Sequence, residues 1–462
     1  MKSRFNSYTK NSILRIGKFI QILLIIAVYV GCLYFYNTEY NQNGVGKTRF
    51  MIFVALYTAV LCFSLRTYRA YDLGFHDVSM LIYSQTLAIL VAGVAFYIVF
   101  VVANSTLFTP VPLLVMLILQ VLLSCVWSVI GNKLFFRLNK PKKAVVFYSG
   151  NLSLLRLQDV IKNDKTFTVT NYIEVKKEYE LSDVKQFFEN CGLVITTGVP
   201  LHLRNDILEC CLSESIPCYT VPTIGDIVMQ GAKHLDSFSV PVFQVSRAEP
   251  NVEYAFIKRA LDIVISLVGI IVLSPVMIIT ALAIRLYDKG PAFYKQVRLT
   301  KNGKKFKILK FRSMRVNAES DGVARLATDN DDRITPVGKI IRACRLDELP
   351  QLFNILKGDM TIVGPRPERP EIAAQYEEDL PEFALRLQVK AGLTGLAQIY
   401  GRYNTEPYDK LQMDLMYVNN MSFSQDLKLI FATIKILFIK ESTQGTAEGQ
   451  ITAAFKKEEK IN

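Results

Sequence analysis

The chain has 462 residues, 51% of them apolar and 21% charged, with 54 Lys and Arg against 41 Asp and Glu for a net charge of +13. Its mean hydropathy of +0.24 is too high for an ordinary soluble protein, yet the charge is too dense for a pure transporter. The basic excess suits anionic lipid headgroups and phosphorylated substrates, and the long apolar runs favour these over nucleic acid. The 8 cysteines form no Cys-x-x-Cys pair and only 3 histidines occur, which argues against both a disulfide framework and a zinc site.

Four apolar stretches come first, over roughly 19–36, 50–65, 80–103 and 112–130, most of them near the ~20 residues that a spanning helix needs. The first is not a cleavable signal, because no small-residue cleavage site follows Tyr36 and further spans come after it. Lys2, Arg4, Lys10, Arg15 and Lys18 precede it, Arg66 and Arg69 follow the second, and Lys133, Arg137, Lys140, Lys142 and Lys143 follow the fourth. The alternate loops carry only Lys47 and Arg49, then no base between Asn104 and Thr109. This asymmetry predicts a four-helix transmembrane unit over 1–140 with both ends cytoplasmic, and everything after it cytoplasmic too.

Residues 141–250 read as a small Rossmann-like α/β domain. Ala144–Tyr148, Leu193–Thr197 and Ile216–Val221 have strand patterns, and alternation with helical runs points to a parallel sheet. Only Gly150 follows the first strand, so the Gly-x-Gly-x-x-Gly loop of a dinucleotide site is missing and no nucleotide is expected there.

The chemistry is expected in 251–440. A fifth apolar stretch, 263–285, has Lys258 and Arg259 before it, Arg285 and Lys289 at its far end, and Ser274-Pro275 at its midpoint. Proline removes a backbone donor, so a helix break is expected there, with Ser274 as local polar partner. The pattern predicts a re-entrant hairpin that enters and leaves on the cytoplasmic side; a kinked full span is the alternative. Lys304, Lys305, Lys307, Lys310 and Arg312 then form a basic strip with alternating apolar residues. Leu346, Leu349, Leu352 and Phe353 have helical spacing, which would place Asp347 and Glu348 about 100° apart on a helix. One carboxylate can attack phosphorus while its neighbour holds a divalent cation. Pro365-Arg366-Pro367 presents a preorganised guanidinium suited to phosphate. The Gly392–Gln398 turn either cradles a phosphate or only turns the chain.

Together these segments resemble the monotopic polyprenol phosphate phosphoglycosyl transferases, the bacterial sugar transferases. The resemblance covers about Phe256 to Leu437, through Lys258-Arg259-Ala260-Leu261-Asp262, Ser274-Pro275, Gly290-Pro291, Gln296, Arg298, Lys310–Met314, Gly338–Arg342, Leu346–Leu352, Asn354–Met360 and Gly364–Pro367. Four N-terminal spans and a Rossmann-like domain resemble the long subfamily, whose members start capsule or exopolysaccharide repeat units. The fold class expected is therefore a membrane protein, α plus α/β: a transmembrane bundle, a Rossmann-like cytoplasmic domain, and an α-rich catalytic domain with a re-entrant membrane helix. A polar tail, 441–462, ends the chain.

The resemblance implies a ping-pong reaction in the inner membrane of a bacterium. Asp347 would be the nucleophile that takes a hexose-1-phosphate from a UDP-sugar, UDP-glucose or UDP-galactose being the usual donors. It would release UMP and pass the phosphosugar to undecaprenyl phosphate. Glu348 would bind Mg²⁺. Lys310, Arg312, Arg342 and Arg366 would contact phosphates, with Gln351 and Thr394 also at the substrate. A homodimer is implied by the long subfamily. The chain departs from the family's pattern at Ala391, where proline is usual, and in having Leu396 and Met421 where many members carry tryptophan; its only tryptophan is Trp127. The rival functions are a non-catalytic membrane scaffold and a membrane nucleotide-sugar dehydratase. The latter has Tyr-x-x-x-Lys spacing at Tyr172/Lys176 and Tyr254/Lys258 but no glycine loop.

Overall fold

A computed structural model describes residues 2–39, 46–104, 111–150, 164–175, 186–188, 191–235, 240–316, 331–401 and 405–437, with 153, 154, 157, 161 and 318. The expected polar tail lies outside the described residues. The chain divides into two compact units, Met1–Val221 and Pro222–Asn462.

The first unit opens with four long helices: α1 (Lys2–Glu39), α2 (Lys47–Thr67), α3 (Val78–Asn104) and α4 (Val111–Leu138). All four contain stretches long and apolar enough to cross a membrane. Their burial pattern is that of a bundle in lipid. Phe19, Leu23, Ile98, Val102 and Ile118 face outward, whereas Gln21, Gln85, Gln120, Ser124 and Ser128 are buried between the helices. The buried amides are paired: Tyr57 Oη donates to Gln120 Oε1 and Gln120 Nε2 to the Ile25 carbonyl, both at 2.9 Å. Gln21 Nε2 likewise donates to Gln85 Oε1 at 2.9 Å.

A four-stranded parallel sheet follows in the order β2-β1-β3-β4, from β1 (Lys142–Tyr148), β2 (Phe167–Glu174), β3 (Leu193–Thr197) and β4 (Cys218–Thr220). Ala144–Phe147 and all of β3 are buried, as parallel strands covered on both faces require. The edge strand β2 was not among the expected strands; its half-exposed pattern lacks the continuous apolar run that marks β1 and β3. Most of the helical run expected after Gly150 lies outside the described residues. One more helix, α5 (Leu201–Ser213), packs Leu203 and Ile207 against the sheet.

The division between the two units falls at Val221/Pro222, inside the segment 141–250. Residues from Pro222 onward belong to the second unit, because α6 (Ile224–Gln230) buries Ile227 among Ile372, Tyr376, Leu411 and Leu415. Asn419 Nδ2 donates to the Ile227 carbonyl at 2.7 Å and fixes that contact. A short hairpin, β5 (Lys233–Leu235) with β6 (Val242–Gln244), follows.

The expected helix break at Ser274-Pro275 is corrected by the structure: α7 runs helically from Val252 to Asp288 with Pro275 inside it. Pro275 has no N–H to give the carbonyl four residues back, that of Ile271. Ser274 Oγ donates to this same carbonyl at 2.8 Å, so the lost bond is replaced from the neighbouring side chain. Both ends of α7 are tied to its own unit. Arg259 donates to the Ile355 and Leu356 carbonyls at 2.7 Å, Asp262 accepts from Thr361 and Ile362, and Asp288 accepts from Arg312. Thirty-seven helical residues therefore start and finish on one small domain.

Candidate active site

Four short segments build the site. The antiparallel pair β7 (Phe293–Leu299) and β8 (Lys305–Phe311) comes first. Strand period places Phe306, Ile308 and Lys310 on one face. Phe306 and Ile308 enter the core, so Lys310 follows them inward while Lys305 and Lys307 stay exposed. The basic strip is thus split: one lysine is turned inward, the others face solvent.

Helix α8 (Pro336–Ala343) starts with Thr335 Oγ1 accepting from Gly338 N at 2.9 Å and with Pro336 at its first position. It is ended by Arg345, a non-glycine residue at φ +53°. The chain then makes one tight turn, Leu346–Glu348, of the 3-10 type before α9 (Gln351–Lys357). Asp347 and Glu348 therefore do not share an α-helix with Leu352 and Phe353 as expected. On this turn neighbours diverge by about 120°, and Phe353 is 43% exposed rather than core. Leu346 and Leu349 anchor the turn against Met277, Ile284, Phe311 and Ile341. Asn354 keys it to β8, donating to the Lys307 carbonyl and accepting from Leu309 N, both at 2.9 Å.

The two carboxylates have different surroundings. Glu348 Oε1 accepts from Lys310 Nζ at 2.9 Å and from Arg366 Nη2 at 2.8 Å. Asp347 makes no hydrogen bond or ion pair among the described residues, and Lys310, Arg342 and Arg366 are the positive charges that act on it. Burial, then the charge of Glu348, raises the Asp347 carboxyl above its ordinary range, against those three cations. Burial opposes ionisation of Glu348 as well, but Arg366, Lys310 and Arg345 outweigh it and hold that carboxyl well below the usual range. Burial lowers Lys310, with Glu348 opposing the shift.

Arg366 sits in the Gly364–Pro367 loop, whose position is set by backbone contact. Gly364 N donates to the Thr394 carbonyl and Gly392 N to the Pro365 carbonyl, both at 2.8 Å. A Cβ on Gly392 would lie 2.1 Å from Gly364 N, and one on Gly395 would lie 2.2 Å from the Gly364 carbonyl oxygen. The glycine-bracketed turn thus turns the chain and lets two backbones touch, with β10 (Gly392–Thr394) beside β9 (Thr361–Val363). Ala391, where the resemblance leads one to expect proline, is tied into the fold. Its N–H donates to Thr300 Oγ1 at 3.1 Å, a bond proline cannot make.

Behind this loop lies a layer that the sequence analysis gave no role. Arg386 donates to the Arg366 carbonyl at 2.9 Å and Arg298 to that of Pro367 at 3.1 Å. Arg386 also pairs with Asp414 at 2.7 Å, and Lys410 with Glu368 at 3.0 Å. Burial pushes Arg298 down to about 10, with Glu368 opposing. Burial works against the Glu368 charge, but Lys410, Arg386 and Arg298 lower its carboxyl far below the usual range. The sequence signals for these residues were thin: Arg298 stood within a recognised motif, and the others looked like ordinary surface charges.

The remaining expected residues are placed as follows. Arg342 is half-buried near Asp347. Arg312 is engaged elsewhere, with Nη1 on Asp288 at 2.7 Å and Nε on the Pro291 carbonyl at 2.7 Å. Gln351 is buried at the start of α9. Thr394 is buried too, with its hydroxyl 2.7 Å from that of Thr433.

Residues 253–440 match the family model described as bacterial sugar transferase. A UDP-N-acetylgalactosamine-undecaprenyl-phosphate N-acetylgalactosaminephosphotransferase of Aeromonas hydrophila is 37% identical over 257 residues, 53% of this chain and 60% of the relative. A UDP-glucose:undecaprenyl-phosphate glucose-1-phosphate transferase of Klebsiella pneumoniae is 42% identical over 208 residues, 44% of each chain. The chain thus spans about half the length of these two relatives. An exopolysaccharide production protein of Rhizobium leguminosarum bv. phaseoli is 42% identical over 198 residues, 41% of this chain but 96% of the relative. With a relative matched over nearly its whole length, and the family model matched over the segment that carries the Asp347-Glu348 turn, the chain belongs to the bacterial sugar transferase family.

Proposed function

We propose that this protein transfers a sugar-1-phosphate from a UDP-sugar to undecaprenyl phosphate at the cytoplasmic surface of a bacterial membrane, as a first step of exopolysaccharide or capsule synthesis. The observation that carries this reading is the asymmetry of the acidic pair: Glu348 is bound by Lys310 and Arg366, while Asp347 beside it keeps a carboxylate without a partner among the described residues. An unpaired, partly desolvated carboxylate among three cations is a nucleophile placed where a phosphate must sit.

In the first step an Asp347 oxygen attacks the sugar-bearing phosphorus. The bond from that phosphorus to the bridging oxygen breaks, and UMP leaves with the electron pair. The phosphosugar is then joined to Asp347 as an acyl phosphate. In the second step an oxygen of the polyprenyl phosphate attacks the same phosphorus and the Asp347 carboxylate is regenerated. No general base is needed, because both nucleophiles are already anionic; His76, His202 and His234 all lie outside the family segment. Lys310, Arg342 and Arg366 neutralise the phosphate oxygens.

The carboxylates also suit Mg²⁺. No group of three or more His, Cys, Asp or Glu that could hold a metal occurs among the described residues. One or two carboxylates, completed by water and substrate phosphate, is nonetheless the donor set Mg²⁺ commonly uses. Glu348, with Asp347 beside it, would hold the ion, which would mask phosphate charge when bound.

The anchors of α7 support a re-entrant placement in the membrane. A helix that crosses a bilayer puts its ends on opposite sides. Here Arg259 and Asp262 near one end and Asp288 at the other are held by the same polar domain. We therefore read α7 as entering and leaving on the cytoplasmic side, which sets Asp347 at headgroup depth.

The donor is a UDP-hexose, with UDP-glucose and UDP-galactose favoured; relatives named for glucose and for N-acetylgalactosamine make the N-acetylated sugar the alternative. The test is UMP release by the purified protein with undecaprenyl phosphate, Mg²⁺ and a panel of UDP-sugars. Release with one donor, lost in Asp347→Asn, is expected. No release with any donor would favour a scaffold, and full activity in the variant would remove Asp347 as nucleophile.

A further inference from the structure

A second basic site lies in the first unit, in the membrane bundle. A cleft of about 270 Å³ opens between the N-terminal part of α1 and the end of α2. Its rim carries Lys18, Arg66 and Arg69, with Asp72 as the one acid. One helical turn further along α1 from Lys18 lies Ile22, and one turn back along α2 from Arg66 lies Cys62, both lining the same cleft. A turn is about 5.4 Å of rise. The cleft is therefore cationic at the level where the apolar spans begin and apolar just below it.

Ordinary positive-inside residues would produce a basic rim, but three features go beyond that. First, α2 ends in a Schellman turn: Ala70 N donates to the Leu65 carbonyl at 3.0 Å and Arg69 N to that of Arg66 at 3.2 Å. The left-handed position of such a turn favours glycine, yet Arg69 occupies it at φ +53°. Second, Lys18, though exposed, has its Nζ 4.5 Å from the centre of the Tyr71 ring on the cleft wall. Third, the Tyr71 hydroxyl is buried on that wall without a hydrogen-bond partner among the described residues. Arg66 also has no partner among them. Only Arg69 is paired, to Asp72.

We propose that this cleft binds the phosphate of an anionic membrane lipid, with the hydrocarbon chain running past Ile22 and Cys62. Two guanidinium forks and an ammonium match phosphate oxygens, and the apolar floor matches a chain descending into the bilayer. The ligand class is a lipid phosphate, either a bulk phospholipid such as phosphatidylglycerol or a polyprenyl phosphate. The site is separate from the Asp347 cluster, and its test does not depend on turnover.

Cys62 provides the readout, since a bound lipid covers it. The full-length protein in phosphatidylcholine nanodiscs is treated with N-ethylmaleimide. Modification of Cys62 is followed by peptide mass spectrometry, with Cys191 as internal reference. Adding phosphatidylglycerol or a polyprenyl phosphate to the nanodiscs should slow Cys62 modification about tenfold, the effect of a few charge-assisted hydrogen bonds; which of the two protects at lower content names the lipid. Arg66→Gln with Arg69→Gln should abolish protection. Asp72→Asn, which frees Arg69, should strengthen it, and a folding defect would not give opposite signs. Equal rates in all nanodiscs, protection by inorganic phosphate alone, or protection that survives the double arginine change would overturn the proposal.

Discussion

The membrane bundle and the catalytic unit differ in the polar groups they bury. In the bundle the paired ones are neutral: Gln21 meets Gln85, and Tyr57, Gln120 and the Ile25 carbonyl form a chain. The catalytic unit buries neutral groups such as Gln351 and Thr394 and, beside them, ions: Arg386 with Asp414, Lys258 with Asp426, Glu348 with Lys310 and Arg366. Neutral pairs suit hydrocarbon, where an ion is expensive and function does not call for one. Under the proposed function the catalytic unit binds two anionic substrates, so it needs fixed cations, and fixed cations need buried counter-charges to hold them. The difference teaches that the ionic network serves orientation of Arg366 rather than cohesion, since buried ion pairs stabilise little relative to apolar replacements.

The largest stability effect should come from breaking that network at its centre. Arg386→Leu leaves Asp414 and Glu368 short of their shared cation and should cost about 3–5 kcal/mol, read as a lowered denaturation midpoint of the purified protein. Gly392→Ala should cost about 1–3 kcal/mol, because the new Cβ meets backbone at Gly364 rather than a movable side chain. It should also lower UMP release, since that contact positions Arg366. In the bundle, Gln120→Leu removes two neutral bonds, which between membrane helices average only about 0.6 kcal/mol each. If it cost as much as Arg386→Leu, the contrast between the units would fail.

The most delicate effect is on pH dependence. Asp347 must be ionised to attack, and its carboxyl is raised by burial and then by Glu348. Glu348→Gln removes the repulsion and releases Lys310 and Arg366, so the Asp347 carboxyl should titrate lower. The acid limb of residual UMP release should then move to lower pH, measured by single-turnover rates across a pH series. An unmoved or rising limb would mean that Glu348 does not act on Asp347 electrostatically.

Much of the site was legible because its residue types are uncommon together. An acidic pair, a Pro-Arg-Pro segment and a basic strip were each offered from sequence for phosphate chemistry; the structure selects Lys310 from the strip and brings it, Glu348 and Arg366 into contact. The four apolar helices and the buried parallel strands were legible for the same reason, since long runs of one character fix an element. What was not legible depended on partners distant in sequence. Glu368, Arg386, Lys410 and Asp414 look solvated until the fold closes around them. Arg312, which the resemblance put at a phosphate, is held by Asp288, a partner 24 residues away that the sequence did not single out. At Pro275 Ser274 was expected to serve a broken helix; instead its hydroxyl takes the Ile271 carbonyl that proline leaves without a donor, and the helix continues.

The central claim is that Asp347 carries the phosphosugar between two half-reactions. It is tested most directly by isotope exchange: the purified protein is given a UDP-sugar, Mg²⁺ and labelled UMP, with no polyprenyl phosphate. A covalent intermediate predicts that label enters the UDP-sugar without any acceptor, and that Asp347→Asn reduces this exchange at least about a thousand-fold. Net transfer with acceptor present but no exchange without it would contradict the account, since both substrates would then have to be bound before phosphorus is attacked.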